Sequence, residues 1–371
     1  MDRFNFLYGL TDLQFQLVQA CRKLAEDDDM FLSAKEIIRA VVKMPEAEFE
    51  AECEALEGQV EPIGAYRIKS VGYVYRLLLQ LGQPWLCRYP FFNMTGMYGD
   101  LHDDEPSGPE YVEVRLSDFA NTVMPHGKRP LLPIALLNGH LYSEGTRIPA
   151  HNLEELWMAC ENIRQNPEME LADLMEILPG PDFASAGVAG GFDAIRSLYA
   201  DGGATLTLSA EIITQIEGAR TRVVIASLPP GVLIKTVIEQ IRSLSQGNRI
   251  YLYELKDLSN HNGVEVILDL PRRWSPATLK EILFKETALS RSERFQCSAP
   301  DSSESGDEGE GPASLIETLK WAVAQCGPAW ERKDGEPLDH HPYLKEILEH
   351  GGYKSPLKHL TDRRRSFLRE G

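Results

Sequence analysis

Residues 88–120, RYPFFNMTGMYGDLHDDEPSGPEYVEVRLSDFA, carry a tyrosine at the seam between two kinds of local structure. Gly96, Gly99 and Gly108 punctuate the first part as a loop, whereas Tyr111-Val112-Glu113-Val114-Arg115-Leu116 alternates with the two-residue period of a half-buried strand. Tyr111 stands where loop meets strand. A lone tyrosine in a strand is ordinarily a packed side chain, so its meaning depends on the surrounding sequence.

Upstream, Leu10, Leu13, Leu17, Cys21 and Leu24 recur at helical spacing behind Thr11-Asp12. Ser33-Ala34-Lys35-Glu36 is a capping box that opens the apolar run Ile37, Ile38, Val41, Val42. A further helix is expected over about Ser70 to Leu81, giving a helical unit with a strand-bearing wing. From Ala204 the pattern changes to period two, with Leu206, Leu208 and Ile212, then a strand over Arg222 to Leu228. Pro229-Pro230-Gly231 breaks it, and an amphipathic helix is expected from Val232 to Leu244. Strands over Arg249 to Glu254 and Val264 to Leu270 follow, and Ser275-Pro276 starts another helix. The order argues for a compact α/β unit. Residues 301–312, DSSESGDEGEGP, hold no core-forming residue and read as a flexible acidic linker. Helical pieces around Ser314 to Ala324 and Tyr343 to Glu349, then Arg363-Arg364-Arg365, read as a loosely attached tail.

A chain of 371 residues can hold two or three domains. Its net charge of -18 gives no compositional support for nucleic-acid binding, although a local basic groove can still carry it. Residues 26–61 hold twelve acids against three bases, and residues 351–371 hold six bases against two acids. Cys21, Cys53, Cys87, Cys160, Cys297 and Cys326 are scattered singly, which disfavours metal cages and disulfide frameworks and fits a reducing cytoplasm. There is no apolar run of membrane-spanning length and no charged-then-apolar leader, so a cytoplasmic protein with no membrane association is expected. No G-x-x-x-x-G-K-[ST] loop occurs, so ATP is not expected to bind this chain.

From Arg88 to Arg115 the chain resembles, without a gap, the segment that carries the DNA-cleaving tyrosine in the A subunits of type IIA topoisomerases, the gyrase A and topoisomerase IV A families. Met124-Pro125, Leu136-Leu137-Asn138-Gly139, Ile148-Pro149-Ala150-His151-Asn152-Leu153 and the string from Leu174 to Phe183, ending Pro179-Gly180-Pro181-Asp182-Phe183, keep the family's order. The resemblance spans roughly residues 8 to 298. It implies an α+β multidomain fold: a winged-helix domain over 1–124, an α/β tower domain over 125–300, the linker 301–312 and a short helical, basic segment over 313–371. The family's long coiled-coil gate is not expected, because the residues beyond 312 are too few to build it, and only a monomer or a weak homodimer is expected.

The resemblance makes Tyr111 the nucleophile on a DNA phosphodiester, and a B-type subunit the holder of Mg2+ and ATP. A phenol ionises with a reference pKa of about 10 and the attacked phosphate gathers negative charge, so such a site needs cations close by. By the resemblance, Arg88, Arg115, Asn138 and Leu141 are the expected DNA-binding residues: the two arginines match positions near the DNA backbone, Asn138 lies in a family phrase, and Leu141 or Tyr142 could replace the side chain that wedges between base pairs. His151 matches a landmark but reads better as a turn-stabilising residue, and Asp103-Asp104 as solvated acids. Three departures weaken the expected chemistry. Glu110 takes the place of the arginine before the tyrosine, Ile63 to Lys69 replaces the histidine-rich motif, and Asp100 to Glu113 contains six acids with no lysine or arginine. Glu110 is expected to disfavour phenolate beside it. Two functions therefore stay open: a divergent DNA-cleaving topoisomerase chain, and a non-catalytic relative that binds DNA or a topoisomerase subunit.

Overall fold

The computed structural model describes residues 10–56, 67–100, 102, 105–124, 130, 132–141, 147–185, 187–217, 220–260, 263–271, 274–297 and 314–325. The acidic linker, the expected helix near 343–349, the arginine triplet, Asp103-Asp104 and Tyr142 lie outside the described residues. What is described is a mixed α and β fold with three small sheets.

Helices α1 (Asp12–Leu24), α2 (Ala34–Val41), α3 (Glu46–Glu54) and α4 (Val71–Gly82) open the chain. The starts of α1, α2 and α4 are set by capping side chains, Thr11, Ser33 and Ser70. Thr11 Oγ1 accepts from Gln14 N while Gln14 Oε1 accepts from Thr11 N, and Ser33 with Glu36 makes the same reciprocal box on α2. Each box satisfies two of the donors a helix leaves unmade at its start. Strands β1 (Leu32–Ser33), β2 (Phe92–Gly96) and β3 (Val112–Leu116) form a sheet in the order β1-β3-β2, antiparallel throughout. Val112, Val114 and Leu116 point into the helices, as period two requires.

The middle of the chain adds α5 (Asp118–Val123), α6 (Ile134–Asn138), the short strands β4 (His140–Leu141) and β5 (Arg147–Ile148), α7 (Leu153–Gln165), α8 (Leu171–Ile177), β6 (Val188–Gly190) and α9 (Phe192–Asp201). Their apolar faces share one core with the first helices, running from Leu10 to Leu208 and taking in Phe295, Cys297, Leu315 and Leu319.

Strand β7 (Gly203–Ser209) marks the change of period near Ala204. It pairs antiparallel with β12 (Ser290–Gln296) along its whole length, from Gly203↔Gln296 to Ser209↔Ser290, and Ala210 N donates to Leu289 O at the end of the ladder. The residues between are thus an insertion on a two-stranded stem. They build a second core around the sheet β10-β11-β9-β8, with β8 (Ile212–Glu217), β9 (Arg220–Ile225), β10 (Glu254–Asp257) and β11 (Val266–Leu270), and the helices α10 (Ile234–Gln246) and α11 (Pro276–Glu286). Stem and neighbours make the third sheet, β4-β5-β12-β7-β6, in which only β5 and β12 run parallel.

Two expectations need correction, and one strand is missed. The strand expected over 249–254 begins at Glu254, because Arg249 N and Ile250 N still bond to Leu244 O behind α10 and Asn248 sits at a φ of 53°. Strand β12 goes unread in the sequence, since Ser-Arg-Ser-Glu-Arg-Phe-Gln lacks an apolar alternation. The helix α12 (Leu315–Gln325) is not loosely attached: it buries Leu315, Thr318, Leu319 and Ala322 against α7 and α9. The longest helices among the described residues have 13 residues, and none is long and apolar enough to cross a membrane.

Candidate nucleophile and its setting

Tyr111 ends a single 3-10 turn, Pro109–Tyr111, that feeds directly into β3. Its N–H donates to Gly108 O at 3.0 Å, and its side chain is 59% exposed. The position is held by close backbone contact with the neighbouring strand. A Cβ on Gly96 would stand 2.2 Å from Tyr111 O, and Gly96 has a φ of 91°, so both space and conformation demand glycine. From below, Ser33 Oγ donates to Pro109 O at 3.4 Å, and the hydroxyl of buried Tyr75 donates to Ser107 O at 2.7 Å. The loop is therefore fastened from two helical elements while the phenol of Tyr111 stands outward.

Glu110 does not stand outward with it. Its carboxylate folds back over Gly108, where an added Cβ would meet Oε1 at 2.7 Å, and among the described residues its Oε2 is buried with no hydrogen-bond partner. Its charge acts inward. Burial, with the charge of Glu110 added, holds the Tyr75 phenol well above its ordinary value, and burial outweighs the Lys35 charge to push the Cys53 thiol up to about 11, with Glu110 adding to it. The expectation that Glu110 stands as a repelling charge beside Tyr111 took sequence adjacency for spatial facing; in a tight turn, neighbouring side chains diverge.

Arg115 lies on β3 opposite Asn93, paired with Asp29 and stacked over Phe31 with its guanidinium carbon 5.2 Å from the ring centroid. Thr95 donates to Glu113 at 3.3 Å across the same sheet. Arg88 is more deeply placed. Only 5% exposed, it forms an ion pair with Asp182 at 3.0 Å, and Asn152 Nδ2 donates to the same carboxylate oxygen at 3.3 Å. The next residue, Tyr89, is clasped on both sides of its backbone by Asn138: Tyr89 N donates to Oδ1 at 2.6 Å and Nδ2 donates to Tyr89 O at 2.9 Å. The Tyr89 hydroxyl accepts from Leu153 N at 2.8 Å, one of the free donors at the start of α7. Arg-Tyr-Pro, Leu-Leu-Asn-Gly, His-Asn-Leu and Pro-Gly-Pro-Asp-Phe, distant in sequence, thus meet in one buried knot.

His151 is fully buried, its ring nitrogens 2.9 Å from Leu136 O and 3.0 Å from the Tyr199 hydroxyl, which is a structural setting. Leu141 lies on β4; its side chain lies outside what is described. Sequence reading passed over His102. Its Nδ1 is 3.2 Å from Asp100 and its Nε2 2.9 Å from Asp257 on β10. Asp-x-His was visible in the sequence, but a partner 155 residues away was not. Among the described residues no group of three or more His, Cys, Asp or Glu could hold a metal ion. Cys21, Cys53, Cys87, Cys160 and Cys297 are buried.

A family model for the A subunits of DNA gyrase and topoisomerase IV matches residues 125–315, more than half of the chain. The chain belongs to that family. Among curated relatives, the DNA gyrase A subunit of Kosmotoga olearia is 31% identical over 255 residues, covering 62% of this chain and 31% of the relative. That of Dehalogenimonas lykanthroporepellens is 30% identical over 259 residues, covering 62% and 32%. The probable chloroplastic/mitochondrial DNA gyrase A subunit of Oryza sativa subsp. japonica is 27% identical over 275 residues, covering 66% and 29%. The matches thus span about a third of the length of these relatives, and the family model begins beyond Tyr111.

Proposed function

We propose that this gyrase A-family chain binds double-stranded DNA and cleaves it transiently through Tyr111, with a B-type subunit supplying ATP hydrolysis and Mg2+. In this reading the Tyr111 oxygen attacks a DNA phosphorus, a 5'-phosphotyrosine bond forms, and the broken P–O bond leaves a free 3'-hydroxyl that takes up the proton. Attack by that hydroxyl reverses the step, so no outside energy is needed to reseal. The observation that carries the reading is the presentation of Tyr111. Its phenol stands at the head of a three-stranded sheet, 59% exposed, on a turn that Gly96, Ser33 and Tyr75 fix from below.

The domain names follow from the same reading. Residues 1–124, with α1, α2, α4 and the three-stranded sheet, serve as the winged-helix domain, and 125–300 as the tower that braces the duplex. Residues 301–312 link them to the segment 313–371. Arg115 is the phosphate contact with the best access, and Leu141 is the candidate wedge between base pairs. Arg88 and Asn138 act at one remove, holding the backbone at Tyr89 from which the loop to Tyr111 departs. The place of action is the cytoplasm, and any self-association is weak.

A second reading has an observation of its own. Arg88 is turned inward onto Asp182, Arg115 is engaged by Asp29, and Asp100 to Glu113 supplies no lysine or arginine, so among the described residues positive charge offered to a phosphate at Tyr111 is sparse. That arrangement suits a non-catalytic family member that binds DNA or a topoisomerase subunit. The two readings separate on one experiment. Chain and B-type partner are incubated with end-labelled DNA and Mg2+, quenched with denaturant and run on a gel. Protein-linked DNA in wild type but not in Tyr111→Phe supports cleavage; no linked DNA with the partner present, alongside retained DNA or partner binding, supports the second reading.

A further inference from the structure

We propose that His102 is a pH-sensitive latch that ties the loop leading to Tyr111 to the inserted four-stranded unit. The inference rests on Tyr111 being the functional residue of that loop only for its consequence, not for its geometry. His102 N donates to Asp100 Oδ1 at 2.7 Å, which folds the loop into a local turn around the histidine. The ring then spans two carboxylates, Asp100 Oδ2 at 3.2 Å and Asp257 Oδ2 at 2.9 Å, with Asp257 on β10 held in place by Ser259 N donating to its Oδ1 at 3.0 Å. One side chain therefore bridges the tyrosine loop and the edge strand of a separate core.

The bridge needs the charged ring. A neutral imidazole has one N–H and one lone pair, so it can donate to only one of two carboxylates and must turn its lone pair toward the other. Imidazolium donates to both. Among the described residues the charged groups acting on His102 are Asp100 from its own loop and Asp257 from β10; the neighbouring charges on that strand, Glu254 and Lys256, pair with each other at 2.9 Å. Burial disfavours the charged ring, but the hydrogen bond to Asp100 and the charges of Asp257 and Asp100 outweigh it, and the histidine is raised above its ordinary value. A raised value means that the contact is fully made below the ordinary histidine range and is lost as pH rises through the raised value. The ring is 36% exposed and Asp100 42%, so salt weakens the latch as well. Released, the loop is fastened to the helical unit alone, and Tyr111 is free of the insertion.

The test is hydrogen exchange of the full chain without DNA, read over 105–111 and 254–258 from about pH 5 to about pH 9 and corrected for the intrinsic pH dependence of exchange, together with an NMR titration of His102. In wild type, His102 should titrate above a free histidine, and both peptides should exchange about two- to fivefold faster once it is neutral. Asp257→Asn should lower the titration and show the faster exchange already at low pH. His102→Lys, which keeps a cation to high pH, should keep the slow exchange throughout. Tyr111→Phe should change none of this, so the latch and the nucleophile stand or fall separately. Titration of His102 at the free value, or exchange that is the same in wild type, Asp257→Asn and His102→Lys across the range, overturns the proposal.

Discussion

Around Tyr89 the side chains of Arg88, Asn138 and Asp182 are turned inward and join distant stretches of chain, whereas at Tyr111, twenty-odd residues later, the phenol faces solvent from a segment whose sequence is rich in acids. The first region joins four stretches of chain through Arg88–Asp182, the Asn138 clasp and the Tyr89–Leu153 bond. The second is held from beneath by Gly96, Ser33 and Tyr75, and at its far end by the His102–Asp257 contact. The contrast teaches that recognisable phrases report different things. Those of the knot are needed for the fold whatever chemistry the chain performs, because an unmatched polar group in a core costs more than it returns. On the proposed function those near Tyr111 serve the chemistry, and it is there that Glu110 and the acidic sequence depart from what DNA cleavage asks.

Breaking the knot should have the largest effect. Asp182→Ala leaves the Arg88 charge buried without its carboxylate, and urea unfolding should show a loss of about 3–5 kcal/mol. A loss below about 1 kcal/mol would mean that Arg88 reaches water and is available to phosphate after all. On the tyrosine side, Gly96→Ala meets Tyr111 O at 2.2 Å in a backbone conformation that alanine resists, and should cost about 2 kcal/mol together with the β2–β3 ladder near Tyr111. Unchanged thermal unfolding would show that the strands part easily there. Tyr89→Phe removes one bond from the knot, leaves Leu153 N without its acceptor, and should cost about 1–2 kcal/mol by the same urea measurement.

Much of this contrast was legible beforehand. The caps at Thr11 and Ser33, the helix over Val71–Gly82, the strand after Tyr111 and the change of period near Ala204 follow from local spacing and side-chain chemistry, which a sequence carries in full. The knot did not follow, because Arg88, Asn138 and Asp182 are brought together only by tertiary packing, and an arginine beside a tyrosine reads as a phosphate contact until its partner is seen. Strand β12 was hidden by its serines and charges, and its identity comes from pairing with β7. Sequence adjacency sets Glu110 beside Tyr111, while the turn sends its charge toward Lys35, Cys53 and Tyr75.

The smallest effect belongs to that residue. Glu110→Gln removes a charge whose Oε2 is buried with no partner among the described residues, and should stabilise the fold by about 1 kcal/mol. A destabilisation of similar size would show that its attraction to Lys35 is the stronger influence.

The central claim is that Tyr111 is the residue presented to DNA, and mere exposure would not single it out: Tyr253 on the inserted unit is 78% exposed against 59% for Tyr111. The direct test is peptide mapping by mass spectrometry of the denaturant-quenched chain after incubation with its B-type partner, Mg2+ and DNA digested to short adducts. A nucleotide phosphate on the peptide holding Tyr111, absent from the peptide holding Tyr253, is the result this account predicts. An adduct on Tyr253 or any other tyrosine, or none on Tyr111 while DNA is bound, would contradict it.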